Sequence, residues 1–581
     1  MSALLATALV HATFTSAAPT CNSSFTPITA STFIKSMNPG WNLGNTLDAI
    51  ETEGSWNNPP VVASTFDDVK AAGFAGIRLP VTWAYHFTSQ SPDWTVDPVW
   101  LQRVSNVVDE VVQKGFYVIV NVHHDSSGWA DFTKSGANVT QIEERFYKLW
   151  YQIGTKLACK GESVAFEPIN EPPGTTAEHG ALQNKFNDIF LQAINDAGGH
   201  NGQRVVTLVG SGEDSIKTSQ WFEPPNPKFK NPWGIQYHYY SPYDFIFSAW
   251  GKTTWGSAAD VSALDADLAS IRANFTDIPL IIGEWSASPV ATETAARWRY
   301  FDAFIRTAAK YNTSTILWDN GNDYLNRATH EWRDATALSI LQHAVKGTVN
   351  SLPDSTTDGA ATTQRSSAYI YHNVSESLTA KTLPFLFNGN TLVAATLNNP
   401  SPAPLVKDRD YTVSANAMTF PVSFLAPLFP SNSSTTDPSP SLPATITLTF
   451  SSGAPLTITL LPYSEPVILS PQPGNSTSIP LPGAPSPDLH IPLAWAGQER
   501  PAAVKAVKSD GTFLVDDWTQ YLGPLQQGRM TFSGQWDWDE SGLILRAAVL
   551  DAVRAAAQST KFTVEFYPRE PGNAVSFTVI V

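Results

Sequence analysis

From Gly40 to about Val345, short apolar runs alternate with amphipathic stretches eight times, and this alternation constrains the fold of the 581-residue chain more than any other feature. The runs are Gly40 to Thr46, Gly73 to Val81, Gly115 to His124, Ser163 to Glu171, Arg204 to Gly210, Gly234 to Tyr240, Ile278 to Trp285 and Thr315 to Trp318. Between them the spacing is helical. Trp100 to Lys114 puts Leu101, Val104, Val108 and Val111 on one stripe and stops at Gly115. Thr140 to Leu157 does likewise with Ile142, Phe146, Leu149 and Ile153. Eight strand–helix units in roughly 300 residues describe an α/β fold, a (β/α)8 barrel.

Such barrels carry their chemistry at the C-terminal ends of the strands, and the polar residues gather there. Asn45 closes the first run, Arg78 stands in the second, His123 and His124 end the third, and Asn170 and Glu171 the fourth. His238 and Tyr240 end the sixth run, Glu284 the seventh and Trp318 the eighth. The fifth offers nothing comparable, and Glu213 and Asp214 after it read as solvated loop acids. Glu167 shares the side of Glu171 by strand alternation but sits deeper and reads as structural, and Tyr239 reads as packing. A buried Arg78 demands a carboxylate partner, for which Glu171 or Glu284 is the natural expectation. Two acids on one barrel face suit cleavage of a glycosidic bond, where one carboxyl protonates the leaving oxygen and the other attacks or activates water. His123, His124 and Asp125 could form a metal cluster, but no other His or acid stands at familiar ligand spacing, so neither a metal nor another cofactor is expected.

The net charge of −16, with no basic tract, argues against nucleic acid or an anionic membrane as partner. Aromatics at 11% against charged residues at 15%, with 19 Trp, favour a neutral polymer met on ring faces. Met1 to Ala18 carries no charged side chain and ends in Ser16-Ala17-Ala18, which reads as a secretory leader. Its apolar stretch is too short to span a bilayer. With the sequons at Asn22, Asn138, Asn274, Asn312, Asn373, Asn432 and Asn475, a secreted monomeric glycoprotein is expected. Cys21 and Cys159 are the only cysteines; one bridge tying the mature N-terminus to the barrel and two free thiols both fit.

The motifs GWNLGNTLDA, GIRLPVTW, VNVHHD, FEPINEPPG, QYHYYSP, IIGEWS and ILWDNG, in that order, resemble glycoside hydrolase family 5 over about Gly40 to Val345. The resemblance implies that Glu171 is the general acid/base and Glu284 the nucleophile. Arg78, His123, Asn170, His238, Tyr240 and Trp318 would support them, with His124 and Asn45 lining the sugar site. Glu171 must then stay protonated, through partial burial and a nearby negative charge, while hydrogen bonds from Arg78 and Tyr240 keep Glu284 ionised. Anomeric configuration is retained if the carboxyls lie about 5 to 5.5 Å apart. Asn170 would bind the sugar 2-hydroxyl and Trp318 would form a floor under the ring. The implied activity is an endo-β-1,4-glucanase acting on cellulose, xyloglucan or mixed-linkage glucan of plant cell walls. A β-mannanase or β-1,3-glucanase fits the same barrel, and a non-catalytic wall-binding protein is disfavoured by the presence of both glutamates.

After the barrel (19–350) the chain reads as a linker (351–382), a small β-sandwich (383–470), a Pro-rich linker (471–488) and a second β-rich module (489–581). LVKDRDYTVSANAMTF and ITLTFSSGAPLTITL resemble immunoglobulin-like modules of multidomain cellulases, and the last segment resembles a family 46 carbohydrate-binding module. In that segment Trp536 and Trp538 share a strand face by alternation, and with Trp518 and Tyr521 they are candidates for stacking on a glucan; core packing is the alternative.

Overall fold

A computed structural model of the chain describes residues 19–354, 359–429, 443–469, 477–497 and 500–581. The expected leader, most of the Pro/Ser-rich interruption from Pro430 and the sequons at Asn432 and Asn475 lie outside the described residues.

Eight strands form a closed barrel in sequence order: β1 (Gly40–Asn42), β2 (Gly76–Leu79), β3 (Tyr117–Val120), β4 (Val164–Phe166), β5 (Val206–Val209), β6 (Trp233–Tyr239), β7 (Leu280–Trp285) and β8 (Thr313–Leu317). Pairings are parallel, as in β2 on β3, β3 on β4, β5 on β6 and β8 on β1. Helices follow each strand in turn: α1 (Ala63–Ala71), α2 (Pro98–Gln113), α3 (Val139–Leu157), α4 (Ala177–Asp196), α5 (Ser215–Trp221), α6 (Ala258–Asn274), α7 (Thr294–Lys310) and α8 (Ala335–Val345). The strands are buried on both faces, which is why they read as unbroken apolar runs rather than alternating ones. The helices begin where a side chain can satisfy the first free N–H groups. Asp97 does so for α2, Asn138 for α3, Thr176 for α4 and Asp214 for α5, while Ser257 and Asp260 close a capping box on α6. All eight expected strands are present. β4 ends at Phe166 rather than Glu171, because Pro168 and Pro172 have no N–H for a ladder. Two further bonds still tie this segment to the β3 side: Glu167 N–H donates to Val120 O at 3.0 Å and Asn170 N–H to Val122 O at 2.8 Å.

Contacts divide the described chain into two units. The first, residues 19–37, 46–56 and 75–237, holds β2 to β5 and most of β6. Its N-terminal segment is tied down by a Cys21–Cys159 disulfide, which decides between the bridge and two free thiols. Beside the bridge Ser23 Oγ donates to Cys159 O at 2.9 Å and Phe25 stacks on His200 at 4.9 Å.

The second unit, residues 38–45, 57–74 and 238–581, holds β1, β7, β8 and the C-terminal sheets. A four-stranded and a five-stranded sheet make the middle module, and two four-stranded sheets with one helix, Ala547–Ala556, make the last. The stretch expected as a linker is partly strand: Leu352–Pro353 pairs with the strand Lys381–Leu386, and Tyr369–Asn373 lies parallel to Leu456–Tyr463. In the second expected linker Ser478–Pro480 pairs with Ala574–Ile580. Shortness and Ser-, Thr- and Pro-rich surroundings disguised these edge strands. The last module docks on the segments after β6 and β7: Arg569 Nη1 donates to Gly251 O at 2.8 Å and to Thr253 Oγ1 at 2.9 Å, and Arg500 Nη2 donates to Thr292 O at 2.9 Å. At Gly251, with φ at 65°, a Cβ would stand 2.8 Å from that of Arg529, so the backbones meet where only glycine fits.

The disulfide closes a span of 138 residues, and chain-entropy arguments give such a link about 5 kcal/mol. Cys159→Ser is therefore expected to move the urea midpoint of the barrel's unfolding downward by a corresponding amount. An unchanged midpoint contradicts this.

Candidate active site

Within the first unit the site is organised around Arg78 on β2, which is fully buried. Its guanidinium meets Glu167 in a bidentate pair, Nε to Oε2 at 2.6 Å and Nη2 to Oε1 at 2.7 Å, and Nη2 also donates to Asn170 Oδ1 at 2.7 Å. Glu167, expected as merely structural, is thus a described partner of the buried arginine in a role expected of Glu171 or Glu284. Burial alone would raise its pKa. The Arg78 charge, with hydrogen bonds from Arg78, Asn121 and Gln236, outweighs this and holds the carboxyl below its ordinary range. With Oδ1 taken by Arg78, Asn170 presents its amide NH2 as the group that can donate to a sugar hydroxyl.

Asn121, one residue past β3, links this pair to His123. Its Oδ1 accepts from Val81 N–H at 3.0 Å, which fixes the amide orientation, and its Nδ2 reaches Glu167 Oε1 at 2.8 Å and His123 Nδ1 at 3.1 Å. Neutral His123 therefore carries its proton on Nε2, a donor for a hydroxyl rather than a lone pair for a metal. His124 is half-buried beside Asp48, with Nε2 to Oδ2 at 3.4 Å, and near the Trp56 ring. Asp48, His123 and His124 bring candidate ligand atoms within 4.8 Å of one another. Asp125, the acid the sequence suggested for such a cluster, instead accepts from Trp83 N–H at 2.9 Å and Trp129 Nε1 at 2.5 Å.

Glu171 has φ at 40° and is exposed. The left-handed turn after the β4 segment carries it outward. Its backbone N–H is held by Glu213 Oε2 at 2.8 Å, while Gln236 Nε2 donates to Glu213 Oε1 at 3.0 Å. Glu213 is fully buried, not a solvated loop acid, and Asp214 caps α5. Sequence reasoning missed Glu213; its place at the C-terminal end of the fifth run was the available signal.

In the second unit, Glu284 on β7 is 5% exposed. Tyr240 Oη donates to its Oε2 at 3.0 Å, and His238 Nδ1 lies 3.6 Å from the same oxygen. Trp318, half-buried, anchors its N–H on Trp285 O at 2.9 Å and lays its ring so close to β1 that a Cβ on Gly44 would stand 2.8 Å from it. Asn45, at φ 53°, donates to Asn57 Oδ1 at 2.8 Å. From Tyr240 a chain of rings runs through Phe247, Tyr243 and Trp250 to Trp518, with successive centroids 6.0, 5.0, 5.7 and 4.6 Å apart. Trp518 and Tyr521 are exposed, as a stacking role requires. Trp536 is not: it is 1% exposed, in a core with Leu543, Leu545 and Val504, and Trp538 packs half-buried against that core. The alternation placed the two on one face correctly, but the face looks inward.

Residues 40–324 match the Cellulase (glycosyl hydrolase family 5) model. Endoglucanase B of Clostridium cellulovorans is 31% identical over 338 residues, which are 55% of this chain and 75% of that protein. The chain belongs to glycosyl hydrolase family 5. The family 5 barrel is accompanied by a carbohydrate-binding domain, since residues 364–460 match the Carbohydrate binding domain X2 model; this is the module expected to resemble an immunoglobulin-like one. Endoglucanase B of Paenibacillus lautus is 25% identical over 572 residues, covering 95% of this chain and 92% of that protein. A crystal structure of a tri-modular GH5 (subfamily 4) endo-β-1,4-glucanase from Bacillus licheniformis has a TM-score of 0.80 at 32% identity and covers 95% of this chain and 100% of that one.

Removing one partner of a buried pair costs about 3–5 kcal/mol, so Glu167→Gln is expected to lose that much stability at neutral pH. The native pair's contribution is present above the ordinary carboxylate pKa and is lost as pH falls through the lowered one. The gap between native and variant should therefore close in acid, as denaturant titrations over pH would show. A hydrogen bond to a charged group is worth about 1.5–3 kcal/mol; Tyr240→Phe should lower kcat/KM by about 10- to 100-fold without unfolding the enzyme.

Proposed function

We propose that the enzyme is a secreted, retaining endo-β-1,4-glucanase that hydrolyses cellulose or a related β-glucan such as xyloglucan or mixed-linkage glucan. The observation that carries the reading is a family 5 barrel in which β7 presents Glu284 to Tyr240 and His238 while the segment after β4 presents Glu171 on an outward turn. Glu284, buried and hydrogen-bonded, serves as the nucleophile at the anomeric carbon. Glu171 protonates the departing glycosidic oxygen and then deprotonates the water that releases the glycosyl-enzyme. Asn170 donates to the 2-hydroxyl, His123 donates through Nε2, and Trp318 packs under the ring.

The choice of a glucan is supported by relatives described as endoglucanases and by the endo-β-1,4-glucanase of B. licheniformis. The ring series from Tyr240 to Trp518 suits a long neutral chain passing several pyranose units. The last module, family 46-like in sequence, contributes Trp518 and Tyr521 to glucan contact, and the middle module has an immunoglobulin-like sandwich role with carbohydrate contact of its own. Secretion is supported by the Cys21–Cys159 bridge, which an oxidising compartment maintains.

Release of reducing sugar from carboxymethylcellulose, xyloglucan, barley glucan and mannan tests the reading. Glu171→Gln and Glu284→Gln should each lower turnover on the preferred glucan by about 10⁴-fold or more. Near-native activity in Glu284→Gln, or mannan as the preferred substrate, overturns it.

A further inference from the structure

We propose that Glu213 is a positioning residue for the proton transfer made by Glu171, its buried carboxylate gripping the Glu171 backbone N–H and so setting where the acid/base side chain projects. The inference rests on the acid/base reading of Glu171 given above.

The conformation of Glu171 is the first observation. A φ of 40° in a residue with a side chain is sparsely populated, and it persists only where the surroundings over-determine it. Glu213 supplies that determination. One carboxylate oxygen accepts the Glu171 N–H at 2.8 Å, and the other accepts from Gln236 Nε2 at 3.0 Å. Gln236 on β6 is itself oriented by Thr207 on β5, whose Oγ1 donates to Gln236 Oε1 at 3.3 Å. The grip is thus referred to two barrel strands rather than to a loop. The same turn holds the chain on the far side of Glu171: Gly212 N–H donates to Pro172 O at 2.6 Å, and a Cβ on Gly174 would stand 2.7 Å from Ser211 Oγ. The turn is itself left-handed at two successive residues, Gly212 at φ 66° and Glu213 at φ 48°. A fully buried carboxylate is costly unless it is well partnered. Here its partners include the main chain of the proton donor.

Protonation of a sugar leaving group depends on the placement of the acid, and a misplacement of about 1 Å costs about 100-fold. Expulsion of dinitrophenolate needs no proton. Breakdown of the glycosyl-enzyme by azide needs no base either, since the anion attacks the anomeric carbon directly and the Glu284 carboxylate leaves.

Glu213→Ala, Glu213→Gln and Glu171→Gln should be compared on carboxymethylcellulose and on dinitrophenyl β-cellobioside, with and without azide. Glu213→Ala is expected to lose about 100-fold in kcat on the polymer with little change in KM, and less than about 10-fold on the aryl glycoside, with azide raising the aryl turnover. Glu213→Gln keeps an oxygen for the Glu171 N–H and, with the Gln236 amide turned over so that its oxygen meets the new NH2, should restore polymer activity to within about 5-fold of native. If Glu213→Ala does not fold, Glu213→Asp, which withdraws the acceptor by one methylene, carries the same comparison. Equal losses on both substrates, or native activity on both, overturn the proposal. A Glu171→Gln enzyme without the leaving-group split removes the acid/base reading, and this inference with it; the split in Glu171→Gln but not in Glu213→Ala removes the inference alone.

Discussion

Arg78 and Glu167 lie where water does not reach, and neither charge could be buried there without the other. Their two-pronged contact fixes the plane of the guanidinium, and that plane decides where its remaining N–H groups go. One reaches Asn170, which turns the amide of that residue so that its NH2 can meet a hydroxyl. Glu167 in turn holds Asn121, whose second contact sets the tautomer of His123. A single ion pair thereby orients three polar side chains at the strand ends. All of them are buried and partnered, so none can turn without breaking a bond that water cannot replace.

The two glutamates of the proposed chemistry meet different surroundings. Glu284 sits within a strand, shut from solvent, with a phenol and an imidazole against one oxygen. Glu171 stands on a strained turn, exposed, its backbone held by Glu213. Double displacement asks one carboxyl to be a nucleophile and the other to exchange protons with the leaving group and water, and unlike environments are the means by which two identical side chains take unlike roles.

The last module is fastened to the loops after β6 and β7 by main-chain recognition. Arg569 and Arg500 read carbonyl oxygens at Gly251 and Thr292, and glycine at 251 lets Arg529 come close. Arg569 is held for this by Glu565, to which its Nη2 donates at 2.6 Å. The same contact brings Trp518 edge-on to Trp250, so that the series of rings leading from Tyr240 continues into the last module.

Eight apolar runs with helical spacing between them were enough to specify a barrel, and the strand ends were enough to bring forward Arg78, Asn170, Glu171, Tyr240 and Glu284 as candidates, because both signals are local and a barrel takes its strands in chain order. The strands near 352, 369 and 478 were less legible, since they are short and lie among Ser-, Thr- and Pro-rich residues that read like linkers. Partnership and facing were decided only by the tertiary structure. Arg78 pairs with Glu167, Glu213 turned inward to hold Glu171, Asp125 accepts from Trp83 and Trp129, and Trp536 entered a core instead of a binding face. Periodicity reports which residues share a side, but which side is buried, and which distant group waits there, depends on the convergence of segments far apart in the chain.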